Sequence, residues 1–203
     1  MKLKKGIKRF LILIILIGIG VGGYFYFLPN KTKKKAVVVD SISGYGYKLQ
    51  DNKNSYYKKQ FAKLKEVLDS DEVDYEKYAK ILTKLFVADF YSLDDKIAKT
   101  DVGGVEFVYK DAKSVFLEKS EDTLYKYVEN NLYGEREQKL PSVKSVTIKE
   151  VEQVPFTYLE EEDSEAYSVE ATWKYSKNGK GYQTSGTFVF VHDGKKLSLV
   201  EIS

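Results

Sequence analysis

Cysteine is absent from this sequence, and histidine occurs once, at His192. The absence of cysteine excludes a disulfide framework, a thiolate zinc site, a cysteine nucleophile and lipid attachment through an N-terminal cysteine. A single histidine excludes the usual multi-histidine metal sites, and no Ser-His-Asp arrangement with a recognisable order can be assembled around it. The sequence therefore predicts no catalytic residue, no metal site and no cofactor, and we expect that the protein is not an enzyme.

Acidic residues are missing from residues 1–35, which contain nine Lys and Arg side chains. The remaining 168 residues hold 24 basic and 30 acidic side chains, so their net charge is −6. The basic character of the chain thus belongs to its N-terminal segment, where Lys and Arg are typical of membrane flanks. The acidic remainder lacks the positive surface that nucleic acid binding requires, so no nucleic acid partner is expected.

Charge is also missing from one long apolar run, Phe10 to Leu28. A helix with a rise of 1.5 Å per residue would extend about 28 Å over these 19 residues, close to the thickness of a bilayer's hydrocarbon core. Nine of the residues are Leu or Ile, which together contribute about −3 to −5 kcal/mol of insertion free energy. The run predicts a transmembrane helix at 10–28, with the lipid bilayer as a partner.

The flanks of this segment determine the predicted topology. Residues 1–9 form a short basic tail that we expect in the cytoplasm, residues 29–35 form a juxtamembrane linker, and residues 36–203 form a domain outside the cytoplasm. The protein would then be a single-pass protein of the cell membrane. A cleaved signal peptide is the alternative, but the run is longer than a typical apolar signal core, and no alanine precedes Ala36 to form a cleavage site.

The first part of the domain has extended and then helical patterns. Residues 36–42 and 45–49 predict two short strands or extended arms, with a bend at 44–46. Helical spacing begins at the N-cap candidates Asn54 and Ser55, and begins again after Asp74, the predicted cap of the most buried helix. The apolar positions of these helices are Tyr57, Phe61, Leu64 and Leu68, then Tyr78, Ile81, Leu82, Leu85, Phe86 and Phe90.

Two more helical segments are predicted after the Gly103–Gly104 break. Apolar residues from Val105 to Phe116 keep helical spacing, and Ser120 can begin a final segment that ends near Gly134.

Beyond Pro141 the apolar period changes from helical to alternating. From Tyr167 to Tyr175 every second residue is apolar, as in an antiparallel sheet with one buried face. Asn178-Gly179 and Asp193-Gly194 are typical two-residue hairpin turns. Pro155 confines its strand to a sheet edge or a bulge. The predicted strands are 142–151, 154–160, 165–176, 182–192 and 196–202.

Helices followed by an antiparallel meander predict an α+β domain in which the helices pack on one face of a curved sheet. The helical stretch Tyr78–Leu93 and the meander Glu165–Ile202 resemble the nuclear transport factor 2-like (cystatin-like) fold, a cone of helices against a bent sheet. With its anchor, the chain is similar to the assembly-factor family of type IV secretion and conjugation systems. The resemblance covers residues 50–203 in the order of elements, and residues 36–49 depart from it. It implies a role in assembling an envelope complex.

Three polar features have both a functional and a structural interpretation. His192 suits a proton shuttle, but its place beside a turn favours an exposed hairpin residue. The acidic segment Asp69–Asp74 resembles a calcium loop, yet Asp74 stands where such a loop needs glycine, which favours a helix connection with a cap. The run of acids Glu160–Asp163 is typical of a solvated loop between strands.

The many aromatic residues, 17 Tyr, 11 Phe and one Trp, suit a ligand pocket between the helices and the sheet. Ordinary core packing is the other interpretation. Asp89 lies in the same apolar helix, and some enzymes of the fold use a buried Asp with a Tyr; we expect Asp89 on the polar edge of the helix. The pocket candidates are Phe86, Phe90, Tyr109, Trp173 and Phe188.

The sequence favours a membrane-tethered, extracytoplasmic interaction or assembly domain without catalytic activity. Envelope or membrane proteins are the expected partners, and the spacing of Gly18 and Gly22 leaves a homo-oligomer open, although such glycines are common in apolar segments. A ligand-binding sensor that uses the aromatic-lined cavity is the alternative. The Lys-rich, Tyr-rich composition is typical of a low-GC Gram-positive bacterium.

Overall fold

The computed structural model describes residues 36–203 of the protein. The predicted tail, transmembrane helix and linker all lie outside the described residues. Within residues 36–203, no helix combines the length and the apolar character needed to cross a membrane.

A small antiparallel hairpin opens the described part of the chain. It consists of β1, Val38–Ile42, and β2, Tyr47–Gln50, and the bend between them contains two glycines with positive φ. Tyr47 is fully buried, and its hydroxyl lies 2.6 Å from the hydroxyl of Tyr78. The two predicted extended segments are therefore confirmed as a hairpin that is attached to the core through Tyr47.

Two helices follow, and both begin at the predicted caps. In α1, Ser55–Leu68, the side chain of Asn54 accepts a hydrogen bond of 2.8 Å from the backbone N–H of Tyr57. In α2, Tyr75–Phe90, Asp74 accepts one of 2.9 Å from Lys77. All the apolar positions predicted for the two helices are buried. The 69–74 segment connects the helices, as the structural interpretation of this segment predicts.

The helices predicted after Gly103–Gly104 are only partly correct. The chain forms 3-10 turns at Val105–Phe107 and Lys110–Ala112 and then α3, Lys113–Asp122. Between the two turns, Tyr109 donates its backbone N–H to Leu199 O at 2.9 Å, which draws the chain to the sheet and interrupts the helix. The segment predicted to begin at Ser120 is wrong, because Ser120 lies inside α3 and turns follow from residue 123.

Four antiparallel strands form the main sheet in the order β3-β4-β5-β6. Helix α2 packs on β3 and β4, and α1 packs on α2. The sheet and helices thus enclose one core, in which apolar side chains from α1, α2 and the strands are buried together. The strands are β3, Ser142–Tyr158; β4, Glu161–Lys177; β5, Ser185–Asp193; and β6, Lys196–Ile202.

Strand β3 is continuous where two strands were predicted. It lies at the sheet edge, and its register against β4 shifts between Val154 and Phe156. Pro155 occupies this irregularity, as predicted for a residue that cannot donate a ladder hydrogen bond. The acidic run is not a loop: Leu159 and Glu160 form the turn, both with positive φ, and Glu161–Asp163 already belong to β4.

The other two turns differ from each other. The chain from 178 to 184 is a loop rather than a two-residue turn, because Tyr175 donates its hydroxyl to Gln183 O at 2.7 Å and Trp173 N–H bonds Thr184 O at 2.8 Å. Strand β5 consequently begins at Ser185. The β5–β6 turn is confirmed but lies one residue further on, at 194–195, where Gly194 has the positive φ.

Candidate functional site

Four of the five aromatic pocket candidates come together in the core. Ring centroids lie 5.1 Å apart for Phe86 and Phe90, 5.7 Å for Phe86 and Phe188, and 6.3 Å for Trp173 and Phe188. All four side chains are buried. The rings contact one another, as the packing interpretation predicts.

Tyr109 does not join them. Its ring packs 5.3 Å from that of Tyr158 near the end of the β3–β4 hairpin, beside a cleft of about 60 Å³. The larger concavities described, of about 570, 540 and 470 Å³, are lined by other residues than the five candidates. The ligand pocket of the sensor hypothesis stays a prediction.

Asp89 is buried, whereas a position on the polar edge of α2 was expected. Its Oδ1 accepts hydrogen bonds from Lys53 Nζ at 2.5 Å and Lys96 Nζ at 2.9 Å, and its Oδ2 accepts one from the backbone N–H of Gly104 at 2.9 Å. Gly103 is needed here, because a Cβ at this position would lie 2.4 Å from the carbonyl oxygen of Asp89. The Gly103–Gly104 pair was the one sequence signal of this close approach.

The charged groups of this cluster determine one another's pKa. Burial alone raises the pKa of Asp89, but the ammonium groups of Lys96 and Lys53 outweigh burial and hold that pKa well below its usual range. Burial lowers the pKa of Lys96, and Asp89 and Asp95 raise it well above the usual value. Asp95 Oδ1 lies 2.9 Å from Lys96 Nζ as an ion pair, without hydrogen-bond alignment. Both Asp89 and Lys96 are therefore charged at neutral pH.

Glu106 adds a second buried carboxyl beside this cluster. It accepts hydrogen bonds from the Tyr57 hydroxyl at 2.9 Å and from the backbone N–H of Lys48 at 3.2 Å. Burial raises its pKa, although these hydrogen bonds act in the opposite direction. Lys53 Nζ lies 5.3 Å from the centre of the Tyr57 ring, so the lysine that bonds Asp89 also contacts the tyrosine that bonds Glu106. The cluster ties β2, α1, α2 and the loop after α2 together, and the carboxylate oxygens of Asp89 and Glu106 all accept hydrogen bonds within the protein.

His192 is half-buried and paired, which corrects the expectation of an exposed hairpin residue. Its Nδ1 lies 2.9 Å from Asp163 Oδ2, and its backbone N–H donates to the same oxygen at 2.7 Å. Burial raises the pKa of Asp163, but hydrogen bonds from the backbone of His192 and Glu165 bring it below its usual value. The ring of Tyr75 packs 4.9 Å from the imidazole. At this end of the sheet, the carboxylate of Asp163 accepts the backbone N–H of His192, where a backbone carbonyl of a neighbouring strand would otherwise accept it.

The largest concavity described is a surface groove of about 570 Å³ between α1 and α2, which we call the lysine groove. Its apolar part is formed by Val67 and Ile81. Gln60, at its α1 side, is 6% exposed, and its Oε1 has no hydrogen-bond partner among residues 36–203. The remaining lining residues are Lys63, Lys77, Lys80, Lys84, Glu66, Ser70, Glu72 and Asp74.

The lysines of the groove are crowded. The pKa of Lys84 is lowered, chiefly by burial and further by the charges of Lys63 and Lys80. Lys80 forms an ion pair with Glu76 and Lys77 forms one of 3.2 Å with Asp74, whereas Lys63 and Lys84 have no ion pair within the described part of the chain. Lys63, Lys80 and Lys84 therefore form a basic part of the groove in which an arriving carboxylate is favoured, while Glu66, Glu72 and Asp74 line the groove towards the α1–α2 connection.

A second exposed surface is the turn of the β3–β4 hairpin, Leu159–Glu162, which we call the acidic tip. Leu159 is 60% exposed, and the three glutamates that follow it are exposed as well. The tip thus combines one apolar side chain with three negative charges, and none of the three pairs with a lysine or arginine among residues 36–203. Leu159 also borders an apolar groove of about 470 Å³ beside α3 and β6.

Comparisons with protein-family models, with curated proteins and with solved structures gave no match to this chain.

Proposed function

We propose that the protein is a membrane-tethered interaction domain outside the cytoplasm, without catalytic activity, in an envelope of the Gram-positive type. The observation that carries this proposal is the contrast between interior and surface. Buried Asp89 and Lys96 are engaged with each other, whereas the largest described concavity is an open groove lined by charged side chains, four lysines and three acidic residues. Such an arrangement suits binding of a charged protein segment better than chemistry on a small substrate.

The order of elements supports a more specific role. Two helices precede an antiparallel meander, and α2 packs on β3 and β4, which is consistent with the proposed nuclear transport factor 2-like arrangement. Together with the apolar segment 10–28, this order favours an assembly component of an envelope complex, such as one for secretion or conjugation.

Site-specific photocrosslinking in intact cells tests the proposal. A photoreactive residue at Lys80, in the lysine groove, is expected to trap an envelope or membrane protein in the membrane fraction. The matched control replaces Lys149, which is exposed on β3 and outside the groove, and we expect no specific product from it.

Two results would contradict the proposal. Recovery of only the uncrosslinked protein from the Lys80 position would remove the interaction role. Recovery of the intact chain in the supernatant after ultracentrifugation, without detergent, would remove the membrane tether.

A further inference from the structure

The lysine groove and the acidic tip belong to the same chain and complement each other. We propose that the acidic tip of one copy docks in the lysine groove of a second copy. This inference rests on the proposed interaction function and names its partner.

Charge is the first complementary property. The groove contains two lysines without an ion pair among residues 36–203, Lys63 and Lys84, and a third, Lys80, close enough to repel Lys84. The tip brings three consecutive glutamates, 160–162, all exposed. Their arrival neutralises the crowded ammonium groups, and the pKa of Lys84 returns towards its usual value.

Apolar contact and hydrogen bonding are the second property. Leu159 projects from the tip with 60% of its surface exposed, and the groove offers Val67 and Ile81 as its apolar part. Gln60 Oε1 is a buried acceptor that needs a donor. A rotation of the Gln60 side chain towards the groove would bring this acceptor within reach of the backbone N–H groups of Leu159 and Glu160, which have no backbone partner elsewhere in 36–203. The phosphate of a polymer or a lipid headgroup would satisfy the lysines but has no apolar side chain for Val67 and Ile81.

The contact is expected to be weak in solution and effective on a membrane. Exposed ion pairs contribute about 0–1 kcal/mol each, so three of them cannot hold two free proteins together. Copies anchored in one bilayer are confined to a thin layer, and this confinement raises their effective concentration. The predicted anchor would thus allow a weak contact to form between copies in the same membrane.

Because the tip and the groove are different surfaces, the contact is either reciprocal within a two-fold dimer or head-to-tail. A head-to-tail pair keeps one free tip and one free groove, so further copies can add to it unless a ring closes.

The absence of cysteine makes a direct test available. Two differently tagged full-length chains are co-expressed, one with Glu160→Cys and the other with Lys80→Cys, and membranes are treated with a short bismaleimide. A product that carries both tags can only link a tip to a groove. We expect this product, and we expect about tenfold less of it when Lys149→Cys replaces Lys80→Cys.

Charge reversal provides the second arm. For this arm the cysteines are moved to the exposed Thr157 and to Ser70, which are not among the reversed residues. The triple variant Lys63→Glu, Lys80→Glu, Lys84→Glu in the groove chain is then expected to lower the yield about tenfold. So is the triple variant Glu160→Lys, Glu161→Lys, Glu162→Lys in the tip chain. Combining both triple variants is expected to restore the yield. Fluorescence of Trp173, the only tryptophan, verifies that each variant is folded.

The outcomes separate this inference from the proposed function. If Lys80 crosslinks another envelope protein but the doubly tagged product is missing, the docking of a second copy is wrong and the interaction function stands. Equal yields from Lys80→Cys and Lys149→Cys would also overturn the docking, since they indicate mere proximity of anchored chains. Failure of the combined reversal to restore the yield would show that the tip and groove are not partners.

Discussion

At the scale of single residues, burying Asp89 is favourable only because three donors surround it. An uncharged side chain there would remove the counter-ion shared by the partly buried Lys53 and the buried Lys96, and would leave Lys96 with Asp95 alone. The same feature explains why sequence reasoning failed at this residue. Helical spacing places Asp89 on α2, but its partners lie in irregular segments whose position no period predicts.

Asp89→Asn is expected to lower the free energy of unfolding by about 3 kcal/mol, because it removes the main counter-ion of the buried Lys96 and of Lys53. Urea unfolding of the full chain in detergent, followed by Trp173 fluorescence, measures the change. Asp71→Asn is the control, since Asp71 is exposed and should change stability by less than about 0.5 kcal/mol. A loss for Asp89→Asn no larger than that of the control would mean that the cluster does not hold the fold.

Glu106 should make stability depend on pH in the opposite direction to Asp89. Its pKa is raised in the folded protein, so its contribution is complete below the usual value of 4.5 and is lost as pH rises through the folded pKa. Glu106→Gln removes that loss. The variant should therefore gain stability relative to the wild type as pH is raised from 4 towards 7, measured by urea unfolding at each pH. A difference that stays constant over this range would contradict the burial argument.

At the scale of elements, local signals predicted where helices begin, whereas a tertiary contact overturned one helix prediction. Helices α1 and α2 begin at Asn54 and Asp74 as predicted, because a cap acts within one turn. The helix predicted from Val105 fails because Tyr109 bonds Leu199, more than 80 residues away in the sequence. The spacing of Lys77, Lys80 and Lys84 on one face of α2 could have indicated the lysine groove, but α1 supplies its other wall.

Asn54→Ala tests the cap of α1. It removes the acceptor for the Tyr57 N–H and is expected to cost about 1 kcal/mol of unfolding free energy. Asn52→Ala is the matched control, two residues earlier and exposed, and should be nearly neutral. Equal effects of the two substitutions in thermal or urea unfolding would contradict the role of Asn54.

A substitution in the β3–β4 turn is expected to change stability and binding in opposite directions. Leu159 and Glu160 both have positive φ, which favours Asn-Gly in a two-residue hairpin turn. Replacing them by Asn-Gly is expected to raise the unfolding free energy by about 1 kcal/mol. The same change removes the apolar centre of the acidic tip, so crosslinking to the lysine groove, monitored from a cysteine at Glu162, should fall. A variant that is more stable and crosslinks as well as the parent would contradict the docking.

At the scale of the whole molecule, the α+β class and the order of helices before a meander were predictable from periodicity. The convergence of Phe86, Phe90, Trp173 and Phe188 was also predictable, since each lies on an apolar face that must meet the core. The sequence could not show whether those rings fill the core or line a cavity. Whether converging aromatic side chains enclose a space or fill it depends on packing, which has no period along the chain.

The Asp89 cluster also has a consequence for the time course of folding. Lys53, Asp89, Lys96 and Gly104 meet only after α1, α2 and the following loop have all reached their places, so we expect the cluster to form after the main barrier. Its loss should then accelerate unfolding and leave the folding rate nearly unchanged. Stopped-flow measurements on Asp89→Asn give both rates, and slower folding with unchanged unfolding would place the cluster in the nucleus. A chain held together late in this way resists opening once it has folded.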